Sequence, residues 1–77
     1  MRTEKLFAKA ISNPAGLSFN EFEALMRSKG WMFRRQKGSH RVWASPLGYL
    51  LPIQKTGKHA KHYQVRQFLA RLENENQ

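Results

Sequence analysis

The sequence predicts an α+β domain in two layers, with helices covering one face of a three-stranded antiparallel sheet in the order α-α-β-β-β-α. Three observations predict it. Two stretches before residue 30 carry apolar residues at helical spacing. Residues 31–54 then hold three short segments rich in aromatic and aliphatic side chains, separated by glycine-containing turns. A last stretch, starting near His59 to His62 and running to about Asn74, returns to helical spacing.

The first helix is predicted from about Thr3 to Ser12, on the stripe Leu6, Phe7, Ala10 and Ile11, and Asn13-Pro14-Ala15-Gly16 breaks it. Ser18-Phe19-Asn20-Glu21 is a capping box, and Leu17 with Phe22 can close a hydrophobic staple over it. The second helix therefore runs from Phe19 to about Lys29, with Gly30 as its C-terminal cap. Residues 1–16 read as a helical extension of a domain spanning 17–77, and 77 residues leave room for one core only.

Trp31 to Gln36 is the first predicted strand, with Trp31, Phe33 and Arg35 alternating against Met32, Arg34 and Gln36. Lys37-Gly38-Ser39 makes a tight turn, because glycine accepts the backbone angles such hairpins require. The second strand, His40 to Ala44, places His40, Val42 and Ala44 on one face and Arg41 and Trp43 on the other. Parity this close to turns is loose; the two tryptophans are expected on opposite faces. After Ser45-Pro46-Leu47-Gly48 a third strand covers Tyr49 to Gln54, and Pro52, which cannot donate to a ladder, either puts it at an edge or stops it nearby. Lys55 to Lys61 reads as a basic loop, and the tail from Glu73 onward as frayed.

Charge narrows the function. Fourteen Lys and Arg face five acids, for a net +9, and no acid lies between Glu23 and Glu73. A one-signed field over two thirds of a small domain attracts a polyanion, and aromatics among the cations point to nucleic acid. The absence of cysteine removes disulfides and thiolate zinc sites, and no apolar run suits a leader or a membrane span; the chain is read as soluble and cytoplasmic. Nothing resembles a phosphate-cradling nucleotide loop, a nucleophile triad or a carboxylate pair. Without acids between residues 23 and 73, two-metal nuclease chemistry has no ligands.

His40 is the first candidate for catalysis, since imidazole exchanges protons near neutral pH. RNA cleavage needs a base for the ribose 2′-hydroxyl, an acid for the leaving 5′-oxygen and cations for the charge on phosphorus. Lys37, Arg41 and the amides of Gly38 and Ser39 can supply the last, with Arg35, Lys55 and Lys58 holding flanking phosphates. A lone histidine is more often structural, capping a turn or packing on a sheet. His59 and His62 form an H-x-x-H pair with no cysteine or acid nearby, a poor basis for a metal site; they read first as surface side chains, with phosphate contact or service as a second proton carrier as the alternatives. Tyr49, Tyr63 and the tryptophans either stack on bases or fill the core, the second being the commoner use.

Gly30-Trp31, then Arg35-Gln36-Lys37-Gly38-Ser39-His40, then Trp43 and a proline closing the third strand resemble the HicA family, small toxins of type II toxin–antitoxin systems. The resemblance covers about Leu17 to Leu72. It implies a double-stranded-RNA-binding-domain-like fold, metal-independent and ribosome-independent cleavage of mRNA without a cofactor, and inhibition by a HicB-type antitoxin. The family's catalytic histidine, in its Gly-Ser-His motif, falls on His40. The chain has Pro52-Ile53-Gln54 where the family often has Pro-x-His. Two rival readings share the charge pattern: a non-catalytic RNA-binding module, and a domain whose cationic face docks an acidic protein.

Overall fold

The capping box at Ser18 starts α2 (Phe19–Ser28) in the computed structural model, which describes residues 3–76. Ser18 Oγ accepts from the Glu21 backbone N–H at 3.0 Å, and Glu21 Oε1 accepts from the Ser18 N–H at 2.9 Å. Two amides that a helix start leaves free are thereby satisfied. The staple residues Leu17 and Phe22 are both fully buried. At the other end Gly30 takes φ +86°, its N–H reaching the Arg27 carbonyl while the Trp31 N–H reaches that of Met26, both at 3.1 Å. This Schellman closure needs the left-handed backbone that glycine adopts freely.

Before it, α1 (Thr3–Ser12) and a short 3₁₀ turn (Pro14–Gly16) lead into α2. Leu6 and Ala10 bury one side of α1, and Lys9 Nζ donates to Glu21 Oε1 at 3.2 Å. After it, β1 (Met32–Lys37), β2 (His40–Ala44) and β3 (Leu50–Ile53) form an antiparallel sheet in the order β1-β2-β3. α3 (His62–Glu75) completes the second layer. The architecture and element order are those the sequence predicts. Pro52 lies on β3, an edge strand, where a missing N–H breaks no ladder on the free side.

Trp43, Leu51 and Ile53 turn inward from the sheet to meet Phe22, Leu25 and Met26 of α2 and Val65 and Phe68 of α3. The Phe68 ring sits edge-on to Trp31 at 5.2 Å and to Phe22 at 5.7 Å. Each such side chain contributes about 1.5–3 kcal/mol by leaving water, which makes this cluster the main source of stability.

Four local features differ from the sequence expectations. The first strand starts at Met32, one residue late, because Trp31 is consumed by the cap of α2; both tryptophans then enter the same core rather than opposite faces. A β-bulge lies between Phe33 and Arg35, leaving Arg34 without a partner on β2. The basic loop is a second hairpin, β4 (Lys55–Thr56) and β5 (His59–Ala60), turned by Gly57 at φ +63°. It is pinned to the start of α2, where Phe19 N–H meets the Lys58 carbonyl at 2.9 Å and Ala60 N–H the Leu17 carbonyl at 3.0 Å. Finally, the tail stays helical to Glu75, whose Oε2 accepts from Ser45 Oγ and, at 2.9 Å, from Arg71 Nε.

Candidate active site

The first hairpin is closed by two residues only. Lys37 pairs directly with His40, and Gly38, at φ +62°, is followed by Ser39, which keeps a negative φ. That pattern belongs to a type II′ turn, whose twist matches the strands it joins. A Cβ built on Gly38 would meet nothing within 4 Å, so the demand for glycine is purely conformational.

The bulge decides which side chains accompany His40. Paired residues share a face, and beyond Arg34 the pairs are Arg35 with Val42, Gln36 with Arg41, and Lys37 with His40. Since Trp43 points into the core, His40, Val42 and Ala44 point away from the helices, and Arg35 and Lys37 join them. Simple alternation from Phe33 would have put Arg35 on the helix side; the extra residue reverses it. Arg35, Lys37 and His40 are all exposed on one face of the sheet. The same face continues into Met32 and Leu50, which are 68 % and 46 % exposed.

Arg41 goes the other way. It lies on the helix side, where its Nε donates to Glu23 Oε2 and its Nη1 to Gln36 Oε1 at 3.2 Å, with the guanidinium 4.1 Å above the Phe33 ring. Glu23 Oε2 also accepts from Trp43 Nε1 at 3.0 Å, so one carboxylate on α2 fixes two neighbours on β2. The structure therefore separates Arg41 from His40 by the thickness of the sheet, because adjacent strand residues point oppositely.

Ser39 and Lys55 come together, lining with Arg41, Gln36, Gln54 and Gly57 a cleft of about 540 Å³ between the two hairpins. Lys55 also borders an adjoining cleft with Lys58, Ser18 and Asn20. His59 and His62 lie elsewhere, lining a further cleft with Lys61 and Tyr63, whose ring meets His62 edge-on at 5.8 Å. Among the described residues no three His, Asp or Glu side chains gather as a metal site would require. Both tryptophans are buried beyond the reach of a base, and Tyr49 is packed beneath Arg71 (4.4 Å) and against Trp31 (6.4 Å). Tyr63 remains half exposed.

Sequence reasoning missed Gln36, which braces the hairpin internally, and Gln54, Lys61 and Glu23, which tie it to its surroundings. Glu23 and Gln54 act across eighteen and fifteen residues, and Gln36 and Lys61 bond side chains whose spacing matches no recognised motif. No helix among the described residues is long and apolar enough to cross a membrane.

A family model described as the HicA toxin of bacterial toxin–antitoxin systems matches residues 19–73, from the first residue of α2 into the last turns of α3. Neither the curated proteins nor the solved structures contain a significant match to the chain.

Proposed function

The chain belongs to the HicA toxin family of bacterial toxin–antitoxin systems, and from that premise we propose that it is an endoribonuclease that cleaves mRNA without a metal, using His40. His40 takes the proton of the ribose 2′-hydroxyl as that oxygen bonds to phosphorus, and as the P–O5′ bond breaks the leaving oxygen is protonated by water; in the complementary role the His40 imidazolium gives the leaving oxygen its proton while water accepts that of the 2′-hydroxyl. Lys37 and Arg35, on the same face as His40, and the backbone amides of Gly38 and Ser39 at the turn offset the charge that builds on the phosphoryl oxygens. Lys55, Lys58 and, from the cleft side, Arg41 hold the flanking phosphates. The observation that carries this reading is the exposure of His40 at the mouth of a rigid two-residue turn, directly opposite Lys37.

Membership of the family brings an antitoxin partner. We propose that it is of the HicB type, that it acts in the cytoplasm with the toxin, and that an acidic surface of it covers the hairpin. The cations Arg35 and Lys37 beside exposed Met32 and Leu50 offer it both charge and apolar area.

A second reading, a non-catalytic RNA-binding module, is favoured by one observation: the other two histidines line a separate cleft, leaving His40 as the sole imidazole of the hairpin. Incubating purified protein and its His40→Ala variant with RNA in EDTA decides between them. Cleavage by the wild-type protein, lost in a folded variant, supports the nuclease. Equal RNA retention by both, with no cleavage by either, supports the binder.

A further inference from the structure

Gln54 fills the single position between β3 and β4, and three elements meet on it. Its backbone N–H donates to Oε1 of buried Gln64 on α3 at 2.9 Å. Its side-chain Oε1 accepts from Lys61 Nζ at 3.1 Å, and its Nε2 donates to Ser39 Oγ at 2.7 Å. The other residue of the turn is held in the same manner. Gln36 Nε2 donates to the Gly38 carbonyl at 3.1 Å while its Oε1 accepts from Arg41. Two carboxamides, each with its oxygen held by a cation, thus grip the Gly38-Ser39 turn, one on the Gly38 carbonyl and one on the Ser39 hydroxyl.

The cations settle which way each carboxamide points. A lysine ammonium only donates, so the atom of Gln54 facing Lys61 is the oxygen and the atom facing Ser39 is the NH₂. Ser39 Oγ must then accept, and its own proton is left to point away from Gln54. A hydroxyl held in that sense is a directed donor, suited to an anionic oxygen at the end of the hairpin and unsuited to a second donor.

We propose that Gln54 is a positioning residue that turns Ser39 into a hydrogen-bond donor toward a phosphodiester oxygen at the tip of the hairpin that carries His40. The inference rests on the ribonuclease reading. Because charge on that oxygen grows as phosphorus is attacked, the bond is worth more in the transition state than in the bound ground state, and its loss falls on kcat. The Gln54–Ser39 bond is exposed, so the fold does not depend on it.

The test is a double-mutant cycle on RNA cleavage in EDTA, comparing wild type, Gln54→Ala, Ser39→Ala and the double variant. Each single change is expected to lower kcat about tenfold with KM moved by less than about twofold, and the double variant to match either single one. The amide resonances of Gly38 and Ser39 should also shift in Gln54→Ala while its thermal midpoint stays near that of wild type. A Gln54→Ala loss of equal size in the Ser39→Ala background would overturn the inference, as would unmoved turn resonances. A wild-type protein that cleaves no RNA would instead overturn the ribonuclease reading on which it stands.

Discussion

Lys37 and His40 face each other across the first hairpin, separated only by Gly38 and Ser39. The pairing puts an ammonium and an imidazole on one face at the tip of a sheet whose other face carries the core residues Trp43, Leu51 and Ile53 against the helices. Removing the charge with Lys37→Ala should lower cleavage about tenfold while leaving the thermal midpoint within error, since both residues are exposed. The salt dependence of RNA affinity should flatten too, its log–log slope falling by about 0.7 for one lost contact to a single strand. Unchanged salt dependence would show that Lys37 touches no phosphate.

The two glycine turns provide an internal control. Gly38 and Gly57 share nearly the same φ, +62° and +63°, and at both the space a Cβ would take is open, with no neighbour within 4 Å. Gly38→Ala and Gly57→Ala should therefore each cost about 1–2 kcal/mol of backbone strain, with similar falls in thermal midpoint. Cleavage should collapse further in Gly38→Ala, whose turn presents His40. Equal losses of activity would mean that activity follows stability alone.

Glu23 supports the site from behind. Glu23→Ala strands Trp43 Nε1 in the core and releases Arg41, which should cost about 1–3 kcal/mol. At about 4–8 °C per kcal/mol for a domain of this size, the fall is readily seen by calorimetry. Glu23→Gln retains an acceptor for the indole and should cost less.

Two carboxylates set the acid limit of stability. The Ser18 N–H, aided by Lys9, holds the Glu21 carboxyl below its ordinary value against the opposing effect of burial. Burial pushes Glu75 upward, but the hydrogen bonds from Ser45 and Arg71 outweigh it and the net direction is again down. A carboxyl depressed in the folded state contributes stability that is complete above its unfolded value, near 4.5, and is lost as pH falls through the lower folded value. The thermal midpoint should thus hold above about pH 5 and drop below it. In Glu21→Gln with Glu75→Gln that acid limb should be shallower; an identical limb would remove both residues from the account.

What is legible in the sequence is what local chemistry dictates. Ser18 and Glu21 announce a helix start three residues apart, Gly30 ends it, and Lys37-Gly38-Ser39 can only turn, so the element order and the tip carrying His40 follow. The bulge at Arg34 leaves no such mark, and it reverses the face on which Arg35 lies. The second hairpin is disguised by its lysines, although Thr56-Gly57-Lys58-His59 repeats the spacing of Lys37-Gly38-Ser39-His40. Arg41 reads as a neighbour of His40 along the chain, yet its partner Glu23 comes from a helix eighteen residues earlier. Glu75 shows the same limit: a polar tail looks frayed until Ser45, thirty residues away, is brought beneath it.

The most direct measurement is the single-turnover rate of RNA cleavage by folded His40→Ala in EDTA, with and without added imidazole. If the ring transfers the proton, the variant should fall by at least about a hundredfold and free imidazole should restore part of the lost rate. A variant that cleaves as fast as the wild-type protein would contradict the assignment of catalysis to His40.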